Sequence, residues 1–253
     1  MFGVRTASNV FWNTASDRSL LKPTARVEPL VWESSLAQFN VRSLTPHDRY
    51  NLITGTVGPR PIALITTINE SGGVNAAPFS FFNVLGADPP IVAFTPGFYY
   101  TMPPRLKDTG VNVLANNEFV VNMVTEELTT AMNIAGADFP EMHSEIEAMG
   151  VTLSTSRQIK PPRILESPVN LECVLVRTVE IGQNQVLFGE VIEIHIRDDL
   201  IDPKRMHVKY DRLNYLARMA GGSGVYSTTR DLLIAPRVSY EQVRADLKDV
   251  HSK

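Results

Sequence analysis

Short runs of β-branched and aromatic residues, separated by glycine and proline turns, most limit how this chain can fold. The two longest runs are Val169 to Ile181 and Gln185 to Ile196, joined through Gly182-Gln-Asn184. Runs of this kind on either side of a glycine-containing turn predict a β-hairpin. Gly189 lies inside the second run and predicts a bulge there.

Further strands are predicted in the N-terminal half of the chain. They share apolar, β-branched character and are Pro61 to Ile68, Ile91 to Thr95 and Phe119 to Val124. Asn69 to Gly73 predicts a hairpin turn after the first of them. The stretch Val74 to Val84 is mixed in character and ends at Asp88-Pro89-Pro90, which blocks a helix.

Helices are predicted to be few, short and at the surface. Thr125 precedes Glu126 and Glu127 and favours a helix start, and a second helix is expected from Glu141 to a stop at Gly150. Closely spaced strands with few helices favour a mainly β (α+β) barrel or sandwich over a parallel α/β sheet. Gly221-Gly222-Ser223-Gly224 does not follow an apolar strand, so it predicts a flexible loop and not a phosphate-binding loop.

Length and composition favour one main domain. The chain has 253 residues, of which 43% are hydrophobic and 20% charged, as in ordinary globular proteins. We expect an N-terminal extension at 1–40, a domain at 41–237 and a C-terminal tail at 238–253. The basic segment 1–36 is compatible with an organelle transit peptide or with a plain flexible extension.

Charge and hydropathy exclude several classes of partner. The net charge of −3 weighs against binding to nucleic acid or to an anionic membrane surface. No apolar run approaches the roughly 20 residues needed to span a bilayer. The one cysteine, Cys173, cannot form an internal disulfide and indicates a reducing, cytoplasmic location.

Side-chain catalysis and metal binding are not indicated. The chain has no Gly-x-Ser-x-Gly elbow, and Cys173 has no protease context. The five histidines are scattered, without a His-x-x-x-His or Cys-x-x-Cys ligand set. We therefore expect no catalytic nucleophile and no metal site.

Four segments, taken in their order along the sequence, are not explained by the fold alone. They are Arg60-Pro61, Asn75 to Asn83, Asp88-Pro89-Pro90 and Lys107-Asp108-Thr109. In this order and spacing the chain resembles, from about 46 to 237, the FMN-binding split-barrel flavin reductase-like family. That family includes the components that supply reduced flavin to two-component monooxygenases such as that for nitrilotriacetate. The resemblance implies an FMN-binding split β-barrel of Greek-key topology.

The segment Lys107 to Thr109 suits a phosphate. Lys107 supplies a positive charge, Thr109 a hydroxyl, and the first amides of a helix over Asp108 to Leu114 would point at an anion. Asp108 is expected to act as the N-cap of that helix and not to touch the phosphate. The alternative is a solvated Lys-Asp-Thr helix start.

The stretch Ala76 to Phe82 suits the flavin ring. Small Ala76 and Ala77 allow close backbone approach, Pro78 fixes the chain, Ser80 adds a hydroxyl and the phenylalanines offer apolar walls. At least two of the three phenylalanines are equally expected to be core residues. The predicted cofactor-binding residues are Arg60, Ala76, Ala77, Pro78, Phe79, Ser80, Phe81, Phe82, Asn83, Lys107, Asp108, Thr109 and Tyr226.

The resemblance also implies an activity. It is NAD(P)H-dependent flavin reduction, with NADH or NADPH as donor, in a homodimer that supplies reduced FMN to a monooxygenase. Two alternatives stay open: a flavoprotein of the same barrel that transforms another small substrate, and a non-catalytic protein that binds flavin or haem. Tyr226 is predicted as a pocket residue because the glycine-rich segment Gly221 to Tyr226 resembles the C-terminal segment of the family, in which an aromatic residue lies near the flavin.

Overall fold

The computed structural model describes residues 36–99, 105–137, 139, 145–222 and 224–244. The chain divides into two compact units, 1–43 and 44–253. The described part of the first unit contains a 3₁₀ turn at Val41–Ser43. All elements named below belong to the second unit. The possible transit segment lies outside the described residues.

Strands, most of them short, are the main regular structure of the second unit. The strands are β1 Arg60–Pro61, β2 Ala63–Ile68, β3 Val74–Phe79, β4 Phe82–Ala87, β5 Pro90–Phe94, β6 Phe98–Tyr99, β7 Arg105–Leu106, β8 Glu118–Met123, β9 Leu153–Ser154, β10 Arg163–Ile164, β11 Val169–Ile181, β12 Asn184–Ile196, β13 Ile201–Asp202, β14 His207–Val208, β15 Leu216–Arg218 and β16 Tyr226–Thr228. The helices are α1 Pro46–Thr56, α2 Asp108–Asn116, α3 Thr129–Ala135 and α4 Glu145–Met149. The mainly β prediction is confirmed.

One seven-stranded antiparallel sheet forms the body of the fold, in the order β3-β2-β8-β11-β12-β5-β4. Its two outermost strands, β3 and β4, are consecutive in the chain and joined only by Ser80 and Phe81. The sheet must therefore curl until its ends meet. The ring of Phe79 on β3 and that of Phe94 on β5, the neighbour of β4, lie 5.2 Å apart between centroids. The result is a barrel that stays split between β3 and β4.

Strand β2 is buried on both faces, which explains why it contains only apolar residues and two buried threonines, Thr66 and Thr67. Ala63 and Ile65 face the barrel interior, where they pack with the fully buried Phe119. Leu64 faces the other way, into a second cluster beneath helix α3. Side chains alternate across a strand, so one short segment serves two cores.

Helix α3 is not a simple surface helix as the sequence predicted. Its residues Ala131, Met132 and Ala135 are buried in the second cluster. It follows a 3₁₀ turn at Glu126–Leu128, before which Thr125 makes no side-chain capping bond. The predicted start of the other helix at Glu141 lies outside the described residues, and α4 ends, as predicted, just before Gly150.

The predicted hairpin of β11 and β12 is confirmed, but Gly189 is not its bulge. The register shifts between Glu172 and Cys173 and between Leu175 and Arg177. The second shift borders the pair Leu175–Gly189, but its extra residue, Val176, is on β11 and not on β12. A Cβ at Gly189 would lie 2.3 Å from Cζ of Phe119. Glycine is needed there because the Phe119 ring packs on the backbone, not because the strand bends.

A buried carboxylate fastens a long loop to the β11–β12 hairpin. Glu172 accepts hydrogen bonds from the backbone N–H groups of Arg157 at 2.7 Å and Gln158 at 2.8 Å, and it contacts Nε2 of His195 at 2.5 Å. Burial raises the pKa of Glu172, but these bonds outweigh it and hold the pKa below its usual value. Burial also raises the pKa of the neighbouring Cys173 thiol, which is therefore unreactive.

Among the described residues, no helix is long and apolar enough to cross a membrane. The described ranges likewise contain no group of three or more His, Cys, Asp or Glu side chains placed to hold a metal ion.

A fully bonded amide joins three strands in the middle of the sheet. Asn122 Nδ2 donates to Leu64 O at 2.9 Å and to Thr66 Oγ1 at 3.2 Å. Its Oδ1 accepts from the backbone N–H of Ile164 and from Asn170 Nδ2, both at 2.8 Å. The Asn122 side chain is completely buried, so all four bonds form away from water.

We predict that Asn122→Ala lowers the free energy of unfolding by about 2–5 kcal/mol, because it leaves several buried partners unbonded. The matched control is Asn116→Ala, which removes one exposed bond to Ile68 O and should cost about 1 kcal/mol or less. Urea unfolding followed by circular dichroism measures both. Equal losses in the two variants would contradict a special role for Asn122.

Candidate functional site

A cavity of about 450 Å³ opens beside β3, within the usual size range of small-molecule sites. Five parts of the fold line it: the β3 edge, the start of α2, the end of α3, the start of α4 and the β15–β16 hairpin, with Tyr50 of α1 at the margin. Segments far apart in sequence therefore meet around one space.

Strand β3 forms one wall because it is the last strand of its sheet. An edge strand pairs on one side only, so its other row of N–H and C=O groups is left for a ligand. Pro78 is compatible with this position because an edge strand need not donate to a neighbour on both sides. Ala77, Pro78, Phe79 and Ser80, all predicted from sequence, line the cavity.

The start of α2 forms the second wall, and it brings in Lys107, Asp108 and Thr109 as predicted. The helix does begin at Asp108, but Lys107 holds the N-cap position and makes no side-chain capping bond. The prediction that Asp108 caps the helix is therefore wrong. Asp108 is the first helical residue, and its carboxylate accepts a hydrogen bond from Arg105 at 2.8 Å.

The hydroxyl of Thr109 is held in a fixed orientation. Thr109 is 1% exposed, and its Oγ1 accepts a hydrogen bond from Asn75 Nδ2 at 2.9 Å. Because the oxygen accepts from Asn75, its own proton is left to donate to a ligand oxygen. This bond also ties the two walls together, since Asn75 belongs to β3.

Five predicted residues do not line the cavity. Ala76 and Phe82 point into the two apolar clusters, which agrees with the alternative that the aromatics are core residues. Phe81 is 46% exposed and lies edge-on to Tyr50, with 6.5 Å between ring centroids. Asn83 is exposed, and its Oδ1 accepts from the backbone N–H of Val84.

Arg60 is the fifth predicted residue that does not line the cavity, because its side chain is bonded to the end of helix α1. Its Nη1 donates to the carbonyls of Thr54 at 2.6 Å and Val57 at 2.5 Å, where the helix carbonyls are otherwise unpaired. Only 7% of Arg60 is exposed. The sequence-based contact of Arg60 with a phosphate or ribityl chain does not match this geometry.

The β15–β16 hairpin contributes a cation and a phenol. Arg218 Nε donates to Ala220 O at 2.9 Å, and its Nη1 donates to the Tyr226 hydroxyl. Tyr226 in turn donates to Asn133 Oδ1 at 3.1 Å. Tyr226 was predicted as a pocket residue, whereas Arg218 and Asn133 were not.

Two carboxylates also face the cavity, Asp108 and Glu145. Burial raises the pKa of Glu145, and the negative charge of Asp108 raises it further. A raised pKa favours the neutral acid, which reduces the repulsion that Glu145 would exert on an anion near Lys107.

Sequence reasoning missed the lining residues on or next to α1, α3 and α4 and three more on or next to strands. The first group is Tyr50, Met132, Asn133, Ala135, Gly136, Ala137, Phe139 and Glu145, and the second is Ile62, Asn75 and Arg218. Asn75 and Arg218 stand in segments that the sequence had singled out. The α3 residues carry only the apolar spacing of a packed helix, so no signal marked them as a cavity wall.

A barrel split at one edge, with a cavity along that edge, is the fold of flavin reductase-like split-barrel proteins. Residues 57–218 match the flavin reductase like domain, and the chain belongs to that family. The resemblance stated from the sequence is confirmed.

Known proteins similar over most of the chain support this assignment. An uncharacterized protein of Deinococcus radiodurans is 38% identical over 213 residues, 82% of this chain and 92% of that protein. The structure of 2-nitrobenzoate 2-nitroreductase NbaA from Pseudomonas fluorescens is 36% identical, with a TM-score of 0.73 over 81% of this chain and 98% of the other. Nitrilotriacetate monooxygenase component B from Bacillus cereus is 29% identical, with a TM-score of 0.74 over 80% of this chain and 100% of the other.

Proposed function

We propose that the cavity binds FMN and that the protein is an NAD(P)H-dependent flavin reductase. The observation that carries the proposal is the meeting of two walls in one cavity. The helix start Lys107 to Thr109 suits an anion, and the β3 edge at Ala77 to Ser80 suits a flat ring with hydrogen-bonding groups.

The residues present fit such a cofactor. Lys107 offers a charge, the Thr109 hydroxyl has its proton turned to a ligand, and the first turn of α2 adds its positive dipole end. Ala77 leaves room beside the backbone, and Phe79 closes the ring end from the barrel side. Bound FMN would supply the acceptance and transfer of hydride, and the chain would supply position, hydrogen bonds and exclusion of water.

The family supports a further role for the product. Nitrilotriacetate monooxygenase component B, 29% identical to this chain, is by its name one component of a monooxygenase. On that basis reduced FMN from this protein would pass to a monooxygenase partner. NADH and NADPH both remain candidate donors, since no dinucleotide-binding motif distinguishes them.

A second function is favoured by the relative named 2-nitrobenzoate 2-nitroreductase. In that case the flavin would stay bound and reduce an aromatic nitro group within the same cavity. Both functions need the same cofactor site and differ in what accepts the electrons.

We also propose that two copies of the chain associate through an apolar surface formed by β4 and the residue before it, which we call the β4 patch: Phe81, Val84 and Leu85. The three side chains are 46%, 65% and 59% exposed. Every residue from Asn83 to Ala87 is exposed, although the strand is paired to β5. A second copy would cover this patch, since exposed apolar surface at a sheet edge is otherwise prone to aggregation.

We predict that Lys107→Ala combined with Thr109→Val weakens FMN binding by about 100-fold or more, because it removes two charge-assisted bonds that contribute roughly 1.5–3 kcal/mol each. Flavin fluorescence titration measures the affinity. Thr109→Ser keeps the hydroxyl and should bind as the wild type does, and Lys160→Ala removes an exposed lysine outside the cavity lining. Unchanged FMN affinity in the double variant would contradict the proposal that Lys107 and Thr109 bind the FMN phosphate.

We predict that the purified protein consumes NADH or NADPH only when FMN is supplied, and that free reduced FMN accumulates without oxygen. Absorbance of nicotinamide and flavin under anaerobic conditions follows both. If FMN binds but nicotinamide is consumed only with an aromatic nitro compound present, the second function holds. FMN binding without any nicotinamide oxidation would contradict both.

We predict a dimer of twice the 28.1 kDa chain mass, which Leu85→Glu converts to a monomer because a charge cannot be buried unpaired in an apolar contact. Sedimentation equilibrium gives the masses. Ile181→Glu is the control, since Ile181 is 64% exposed at the tip of the long hairpin. A monomeric wild type, or a dimeric Leu85→Glu protein, would show that the β4 patch is not the contact.

A further inference from the structure

The cavity contains a second cation, and it lies far from Lys107. Arg60 pairs with Arg218 across β1 and β15, whereas Thr67 pairs with Asn75, which holds Thr109. Between these two points runs β2, which spans about 13 Å from Ala63 to Thr67. The backbone segments that carry Arg218 and Lys107 therefore lie near opposite ends of β2.

The guanidinium of Arg218 is fixed but only partly bonded. Of its five N–H groups, one donates to Ala220 O and one to the Tyr226 hydroxyl. Its Cζ lies 4.8 Å from the centre of the Tyr226 ring, which supports the cation from the side. Within the described ranges the other three N–H groups have no protein acceptor. They form a preset fork for an anion.

Among the described residues, no carboxylate forms a salt bridge with Arg218 or with its neighbour Arg60. Burial lowers the pKa of Arg60, Tyr50 raises it and the charge of Arg218 lowers it. Arg60 and Arg218 are direct partners in the β1–β15 ladder, so their two positive charges lie close enough to repel. An incoming anion would relieve that repulsion.

The flavin phosphate cannot be this anion if it lies at Lys107. We propose that Arg218 binds the phosphate groups of the hydride donor and so positions its nicotinamide over the β3 edge. This inference rests on the proposed flavin reductase function and deepens it. The donor class is then a phosphorylated dihydronicotinamide, held through its anion at the end of the cavity away from Lys107. Tyr226 and Asn133 act as positioning residues because they orient the guanidinium.

Three hydride donors test the proposal on the FMN-loaded protein. NADH carries a pyrophosphate, reduced nicotinamide mononucleotide carries one phosphate, and 1-benzyl-1,4-dihydronicotinamide carries none. We expect Arg218→Gln to raise KM for the two phosphorylated donors by about 10- to 100-fold and to leave KM for the benzyl donor unchanged. Added salt should raise KM for NADH in the wild type and much less in the variant.

Control variants separate charge from structure. Arg218→Lys keeps the charge but not the fork and should give an intermediate KM. Arg177→Gln removes an exposed arginine of β11 outside the cavity lining and should change nothing. The FMN affinity of Arg218→Gln should equal that of the wild type, which shows that the cavity is intact.

Two results would overturn the proposal while the proposed function stands. An equal rise in KM for all three donors would show that Arg218 maintains the shape of the cavity and does not bind the donor phosphate. A loss of FMN affinity without an effect on donor KM would show that Arg218 binds the flavin. By contrast, a wild type that binds FMN but oxidises none of the three donors would refute the reductase function itself.

Discussion

The completely buried amide of Asn122 is the interaction on which the register of the barrel depends. Its four hydrogen bonds reach β2, β11 and the segment that ends in β10, and each partner is satisfied only in one alignment. A slip of one residue would reverse the faces of β2, exchanging Leu64 for Ile65 between two cores and leaving the amide unbonded. A fully bonded polar group in an apolar sheet therefore specifies the fold as much as it stabilises it.

The cavity follows from that register. Once β2 is fixed against β8, β3 is fixed as the outermost strand, and its outer edge faces the start of α2. The bond between Asn75 and Thr109 then sets the distance between strand and helix. On the far side, the pairing of β1 with β15 carries Arg218 to the other end of the same space. The segment Arg60 to Thr67 therefore positions both cations of the cavity. Its first residue pairs with Arg218, and Thr67 pairs with Asn75, which bonds Thr109 next to Lys107.

Local patterns predicted what depends on local physics. The hairpin Val169 to Ile196, the strand Pro61 to Ile68 and the helix after Lys107 follow from β-branched composition, turn residues and helix-start chemistry. Errors came where a side chain's direction or a distant contact decides. Ala76 alternates with Asn75 and Ala77 and so faces the core, although it stands in the ring-binding motif. The Arg60 guanidinium donates its hydrogen bonds to the carbonyls at the end of α1 and not to the cavity. Asn133 and Tyr226 are hydrogen-bonded although they are 93 residues apart, and no spacing in the sequence predicts this contact.

The distribution of reactive groups shows what the chain itself can contribute. Its single thiol, Cys173, is sealed in the barrel interior with a raised pKa, and His195 is engaged by Glu172 on β11, outside the cavity lining. The cavity instead presents charges, an oriented hydroxyl and strand-edge amides, which are groups that bind and orient. Burial and the charge of Asp108 raise the pKa of Glu145, so a smaller fraction of this carboxyl is ionised at a given pH. In the proposed reductase, such a site would lower the barrier by holding flavin and hydride donor in one geometry, and its specificity would depend on which anion each cationic end binds.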